Sequence, residues 1–156
     1  IFHPPCTFLS ASGSGWYYHP DDRHLPTQER RPHPKYPNRA KDRDDAIDFV
    51  KRLYETDIPK IVIENPIGSL SSLWRKPDQI VQPWMFGDPF TKTTCLWLKN
   101  LPPLIPTNIV DKGERHITKS GKSLPSWYNL PPSEDRWRER SRTYLGIAEA
   151  MAQQWG

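Results

Sequence analysis

Two short stretches hold the residues best suited to chemistry: His3-Pro4-Pro5-Cys6 and Glu64-Asn65-Pro66. A thiolate is a strong nucleophile that can open a difficult step through a covalent intermediate. A carboxyl group can donate to, or accept from, a ring nitrogen or an amine. The two prolines hold Cys6 stiffly, because each fixes its own φ. Close behind the thiol, residues 10–15 read Ser-Ala-Ser-Gly-Ser-Gly. Such a segment is small and flexible enough to close over a site and exclude water. Singly, a cysteine in apolar company is most often inert core, and a glutamate after a strand is most often solvated. The case for chemistry rests on the two occurring together.

What must position them is a strand, a helix and a second strand. Ile1-Phe2 reads as the end of a buried strand that Pro4-Pro5 closes, since proline cannot donate to a ladder. Ala46, Phe49, Val50 and Leu53 fall on one helical face. Asp44 or Asp45 is placed to cap that helix, and Asp57-Ile58-Pro59 to end it. Lys60 to Glu64 does not alternate, which predicts a strand buried on both faces, stopped by Asn65-Pro66. Together these form a βαβ unit, and ligands of open α/β sheets bind beyond the carboxyl ends of the strands. Cys6 and Glu64 are therefore expected on one rim. Thr93 to Leu98 is a third strand candidate, with Cys95 inside it as core. Ser133 with Glu134 and Asp135 makes a favourable helix start. Tyr144, Ile147, Ala148, Met151 and Trp155 would then share one face.

Composition bounds the rest. The chain has 156 residues, which fits a single domain spanning 1–156. Only 35% of residues are apolar, but Trp 7, Tyr 6 and Phe 5 supply enough aromatic surface to argue against disorder throughout. The 18 prolines imply long irregular connections, chiefly residues 7–43, 68–92 and 99–132. A net charge of +4 suits a polyanionic partner. Two cysteines make no disulfide framework, and a reducing cytoplasm is the simplest setting. No apolar run approaches the roughly 20 residues that cross a bilayer. The start reads as mid-domain sequence rather than as a leader.

Pro5-Cys6 resembles the nucleophile motif of the DNA cytosine-5 methyltransferases, and Glu64-Asn65-Pro66 resembles their Glu-Asn-Val motif with the last residue changed. The whole chain is similar to a small phage and prophage group of cytosine methyltransferase-like proteins. The segments that carry this are His-Pro-Pro-Cys-Thr at 3–7, Ile-Glu-Asn-Pro at 63–66, Lys-Pro-Asp-Gln-Ile at 76–80, Cys-Leu-Trp-Leu-Lys at 95–99 and Ser-Arg-Thr-Tyr at 141–144. The resemblance implies the catalytic half of a Rossmann-like, S-adenosylmethionine-dependent methyltransferase fold of the α/β class, with long Pro-rich loops. It implies that Cys6 adds to C6 of cytosine and that Glu64 holds the N3 and N4 edge, with Asn65 fixing the motif's loop. A methyl group would pass from S-adenosylmethionine to C5. The target base in DNA must leave the duplex or arrive single-stranded. Residues 7–15 match the mobile catalytic loop. Pro5 and Ser10 would border the substrate, and Pro4 and Pro66 the cofactor.

The chain also departs from the family. The cofactor-binding strand and its glycine turn precede Pro-Cys in these enzymes, where this sequence has only Ile1-Phe2-His3. The Gln-x-Arg-x-Arg strand is not found, and Arg75 and Lys92 are its substitutes as substrate-binding cations. Residues 99–132 stand where the large target-recognition domain belongs. Their Lys112, Arg115, His116, Lys119 and Lys122 could meet phosphates or form a solvated loop. Arg136, Arg138, Arg140 and Arg142 form a further basic region. Ser120-Gly121-Lys122-Ser123 ends like a phosphate-binding loop, but the earlier glycine falls on His116. The histidines and cysteines show no zinc spacing, so no metal is expected. Two rivals remain: an exocyclic-amine methyltransferase acting on N4 of cytosine or N6 of adenine, and a non-catalytic nucleic-acid-binding remnant.

Overall fold

A computed structural model describes residues 1–129, 133 and 144–156. The basic run Arg136, Arg138, Arg140 and Arg142 and the helix start at Glu134-Asp135 lie outside the described residues. The fold is mixed α/β, and the chain divides into two compact units, residues 1–80 with 94–102, and residues 81–93 with 103–156. In the first unit, helix α1 spans Arg39–Glu55 and strand β1 spans Ile61–Pro66. A short helix α2 spans Ser69–Leu73, strand β2 Gln79–Val81 and strand β3 Thr94–Lys99. The sheet order is β1-β3-β2.

The expected parallel relation between the chain start and the second strand is present as one bridge, Phe2 to Ile63. The Phe2 amide donates to the Val62 carbonyl at 2.9 Å, and the Glu64 amide to the Phe2 carbonyl at 3.0 Å. β1 and β3, by contrast, run antiparallel, with Val62 opposite Leu98 and Glu64 opposite Leu96. Ile61, Val62 and Ile63 are all buried, as a non-alternating run predicts.

Side chains alternate across a strand, so Ile61, Ile63, Cys95 and Trp97 share one face. That face packs with Ile47 and Val50 of α1 and with Leu9 and Leu70 to form the core. Phe2 leans on the same cluster.

Several sequence expectations need correction. α1 starts at Arg39, not at Asp44 or Asp45, because Pro37-Asn38 already turns the chain and the Asp42 amide bonds the Asn38 carbonyl. Its inner face is turned by one residue: Ile47 is buried and Phe49 is exposed. Asn65-Pro66 does not stop β1, which continues through Pro66 as the edge pairs Asn65 with Cys95 and Pro66 with Thr94. Residues 68–92 are not irregular throughout, since they hold α2 and β2.

The C-terminal end of α1 is sealed by β3. Lys99 Nζ donates to the Thr56 carbonyl at 2.7 Å, a cation on the last carbonyls of a helix. At the same level of the sheet, the Tyr54 hydroxyl donates to the Leu98 carbonyl at 2.8 Å.

In the second unit, residues 115–117 and 123–125 form an antiparallel hairpin, β4 and β5. The Ser-Gly-Lys-Ser stretch is its turn, with Gly121 at φ +77°. Helix α3 spans Leu145–Trp155 and buries Ile147, Ala150 and Met151. Ala148 is exposed, so Ala150 takes the inward place expected of it. The Gln154 amide bonds both the N–H and the carbonyl of Ile105, each at 2.8 Å. No helix among the described residues is long and apolar enough to cross a membrane.

Candidate functional site

The site is built at the carboxyl end of β1 by a segment that runs beside it. Past the Phe2 bridge, His3 and Pro4 alternate as the pleat requires. His3 falls on the side of Glu64, and its Nδ1 lies 3.0 Å from Glu64 Oε2. Pro4 falls on the side of Asn65, whose Nδ2 donates to the Pro4 carbonyl at 2.9 Å. Asn65 is 1% exposed, and its Oδ1 is buried without a hydrogen-bond partner. Glu64 keeps 26% of its side chain open.

The chain then turns outward at an exposed Cys6. The Cys6 carbonyl accepts from the amides of Leu9 at 3.1 Å and Ser10 at 2.9 Å, which closes a tight turn behind the thiol. The return strand of that turn clasps the residues after β1. Ser69 donates to the Leu9 carbonyl at 2.7 Å, and Ala11 to the Ile67 carbonyl at 2.9 Å. This close approach demands glycine at 68, because a Cβ there would fall 1.8 Å from the Leu9 oxygen. Tyr17 pins the same loop, its hydroxyl donating to the Phe8 carbonyl and meeting Ser69 Oγ at 3.1 Å.

The structure thus brings Cys6, Glu64, Asn65, Pro4, Pro5 and Ser10 into one locality. Ser10 enters it through the backbone bridge to Gly68, while its hydroxyl meets Ser12 Oγ at 3.0 Å. The stretch 10–15, expected to be flexible, is largely taken up by a 3-10 helix over Ala11–Trp16, with Gly13 buried against Arg39.

Arg75 sits elsewhere. Its guanidinium forks onto Asp78 at 2.8 and 2.9 Å and reaches the Tyr54 hydroxyl at 2.9 Å. Asp78 in turn accepts the Leu98 amide at 2.6 Å, and Trp97 Nε1 donates to the Arg75 carbonyl at 2.9 Å. Leu98 pairs with Val62, so this brace lies toward the amino end of β1, away from Cys6. Lys92 belongs to the second unit, where its Nζ lies 5.6 Å over the Tyr144 ring. Arg115 is engaged within its hairpin through Ser123, and Lys112 lies 5.0 Å over the Trp84 ring.

The two cysteines differ sharply. Cys95 is buried in the core, and burial, helped by the Glu64 charge, pushes its thiol up to about 11. It is a packing residue, as a cysteine inside a strand pattern suggests. Sequence reasoning did not pair His3 with Glu64. The signal was available in the period-2 pleat, because a Phe2 that faces the core puts His3 on the Glu64 side.

No family model, no curated protein and no solved structure matches this chain. Function therefore has to be argued from the geometry. At the rim a half-buried carboxyl is paired with a histidine, and an exposed thiol follows three residues after that histidine. Among the described residues no cluster of three or more His, Cys, Asp or Glu could hold a metal ion.

The described residues do not fit S-adenosylmethionine. The Pro4 carbonyl is already taken by Asn65, and Pro66 has no N–H to offer. The one backbone cradle at the rim, at Gly68, is filled by Leu9.

Proposed function

We propose that Cys6 and Glu64 act together on cytosine in DNA, in the pyrimidine half of a C5 methyl transfer. The observation that carries this reading is the lacing of residues 2–4 onto residues 62–65, which gathers the motif residues at one strand end. In the reaction, the Cys6 thiolate adds to C6 of the ring. The C5–C6 π pair moves toward C5, and N3 takes a proton from the Glu64 carboxyl. His3 orients that carboxyl through the bond to Oε2. C5 is then nucleophilic and can accept an electrophile. Loss of the C5 proton to solvent water, expulsion of the thiolate and return of the N3 proton to Glu64 restore the aromatic ring and the starting carboxyl. The steps that these residues carry end there, and the methyl donor named by the family resemblance has no site among them.

An oligonucleotide with 2-pyrimidinone in place of cytosine tests the reading, because loss of the 4-amino group makes C6 more electrophilic. The full chain is expected to gain the mass of one oligonucleotide, and Cys6→Ser to gain none. An adduct that persists in Cys6→Ser, or that never forms with the wild-type chain, would sink it. Methylation of an exocyclic amine that survives Cys6→Ser would favour the amine rival instead.

A further inference from the structure

Residues 16–43 carry a feature that the covalent chemistry does not use. Trp16 is 45% exposed and Tyr36 38% exposed, unusual for rings this large in a fold with few apolar residues. Their centroids lie 5.6 Å apart, edge to face, and the buried His33 contacts both, at 5.1 Å from Trp16 and 5.7 Å from Tyr36. The tight turn that presents Tyr36 is fixed by its amide bonding the His33 carbonyl.

Beside these rings is a depression of about 240 Å³ lined by Phe8, Lys35, Tyr36, Arg39 and Asp42 among others. Of the cations in this segment, Arg31, Lys41 and Arg43 each meet a carboxylate, at Asp22, Asp45 and Asp44. Among the described residues Arg23, Arg30, Lys35 and Arg39 meet none, and Lys35 and Arg39 are the two at the depression, lying 5.5 and 5.8 Å over the Tyr36 ring. Arg39 also ties the depression to the thiol loop, lying 5.4 Å over the Phe8 ring and donating to the Thr7 carbonyl at 2.9 Å. Its Nε is buried and unpartnered.

From this we infer that Trp16 is a stacking platform for a base flanking the target, with Lys35 and Arg39, which lie over the neighbouring Tyr36 ring, on its phosphate, and that the strand bound is single. An exposed aromatic ring beside cations that meet no carboxylate matches the way unpaired strands are held, since every unstacked base offers a π-face. In a duplex those faces are covered. The inference deepens the proposed reaction by naming the form of its substrate, and it stands apart from the thiol chemistry in its test.

The test is fluorescence anisotropy of a labelled single-stranded oligonucleotide with the full chain carrying Cys6→Ser, so that no adduct contributes. Trp16→Ala is expected to weaken binding by roughly 5-fold or more. Lys35→Ala should lower the slope of log affinity against log salt by about 0.7. Thermal unfolding checks that each variant folds. Equal affinity for duplex and single strand, or binding unmoved by both substitutions, or no binding by the parent chain, would overturn the platform. Binding that behaves as expected in a chain whose wild-type form makes no pyrimidinone adduct would leave the platform standing and remove the covalent reading alone.

Discussion

The two ends of β1 are built on opposite terms. Toward the amino end, Arg75, Asp78, Tyr54 and Trp97 bond one another and the Leu98 backbone, and every strong donor but Arg75 Nε finds an acceptor. Toward the carboxyl end, a thiol stands exposed, a carboxyl is held by a single histidine, and the Asn65 oxygen is buried with no partner. A network in which nearly every group is paired adds rigidity and stability. Unmet groups cost stability and persist where something else is gained from them. The difference teaches where to look for stability and where to look for chemistry on the same strand.

Substitutions at the two ends should therefore separate unfolding from activity. Trp97→Ala, which empties a fully buried ring site, is expected to cost about 3–5 kcal/mol in denaturant unfolding. Next is Arg75→Ala. It strands the Asp78 carboxyl and should cost about 1.5–3 kcal/mol, while adduct formation per folded molecule stays unchanged. A loss of adduct beyond the loss of folded protein would mean that the brace takes part in the chemistry.

Gly68→Ala attacks the other end. Forcing a Cβ toward the Leu9 oxygen should cost about 1–3 kcal/mol and, unlike the brace variants, should also slow adduct formation in the folded fraction.

Acid probes the brace together with Asp22, which its hydrogen bonds from Arg31 also hold below the usual carboxylate range, so the Asp78 share is read by substitution. Burial by itself would raise the Asp78 carboxyl, but the Arg75 fork and the Leu98 amide outweigh it and hold the group below its usual range. A lowered folded value means that the contribution is complete above the ordinary carboxylate value of 3.8 and is lost as pH falls through the folded one. Asp78→Asn should flatten the acid limb of the stability curve in that window, and an unchanged limb would remove Asp78 from the account.

The smallest effect is expected for His3→Ala. The His3–Glu64 pair is open to solvent, so unfolding should shift by less than about 0.5 kcal/mol. A large shift would make the rim a stability element like the brace.

The sequence made the strand interiors legible and the ends less so. Ile61 to Ile63 and Cys95 to Leu98 are continuous apolar runs, and burial on both faces follows from that pattern. The bounds failed where tertiary contacts decide them. Pro66 extends β1 as its last residue, in register with Thr94, which a rule about missing donors does not see. Ile47 and Phe49 lie on nearly opposite sides of a helical wheel, and the face that Ile47 shares with Val50 is the one the sheet buries. The parallel relation of Phe2 to Ile63, which led to the expectation of Cys6 and Glu64 on one rim, was legible from topology. The His3–Glu64 bond, the Gly68 clasp and the Trp16–Tyr36 surface depend on close approach between segments distant in sequence, and no local pattern encodes that.

Exchange of the cytosine C5 hydrogen tests the central claim most directly, because it needs the thiol and the carboxyl but no methyl donor. Addition of Cys6 to C6 makes C5 able to take a deuteron from solvent, and elimination then returns a deuterated base. The full chain incubated with a single-stranded oligonucleotide in deuterium oxide should place deuterium at cytosine C5, and Cys6→Ser should place none. Deuterium absent with the wild-type chain, or present at equal rates in Cys6→Ser, would contradict the account.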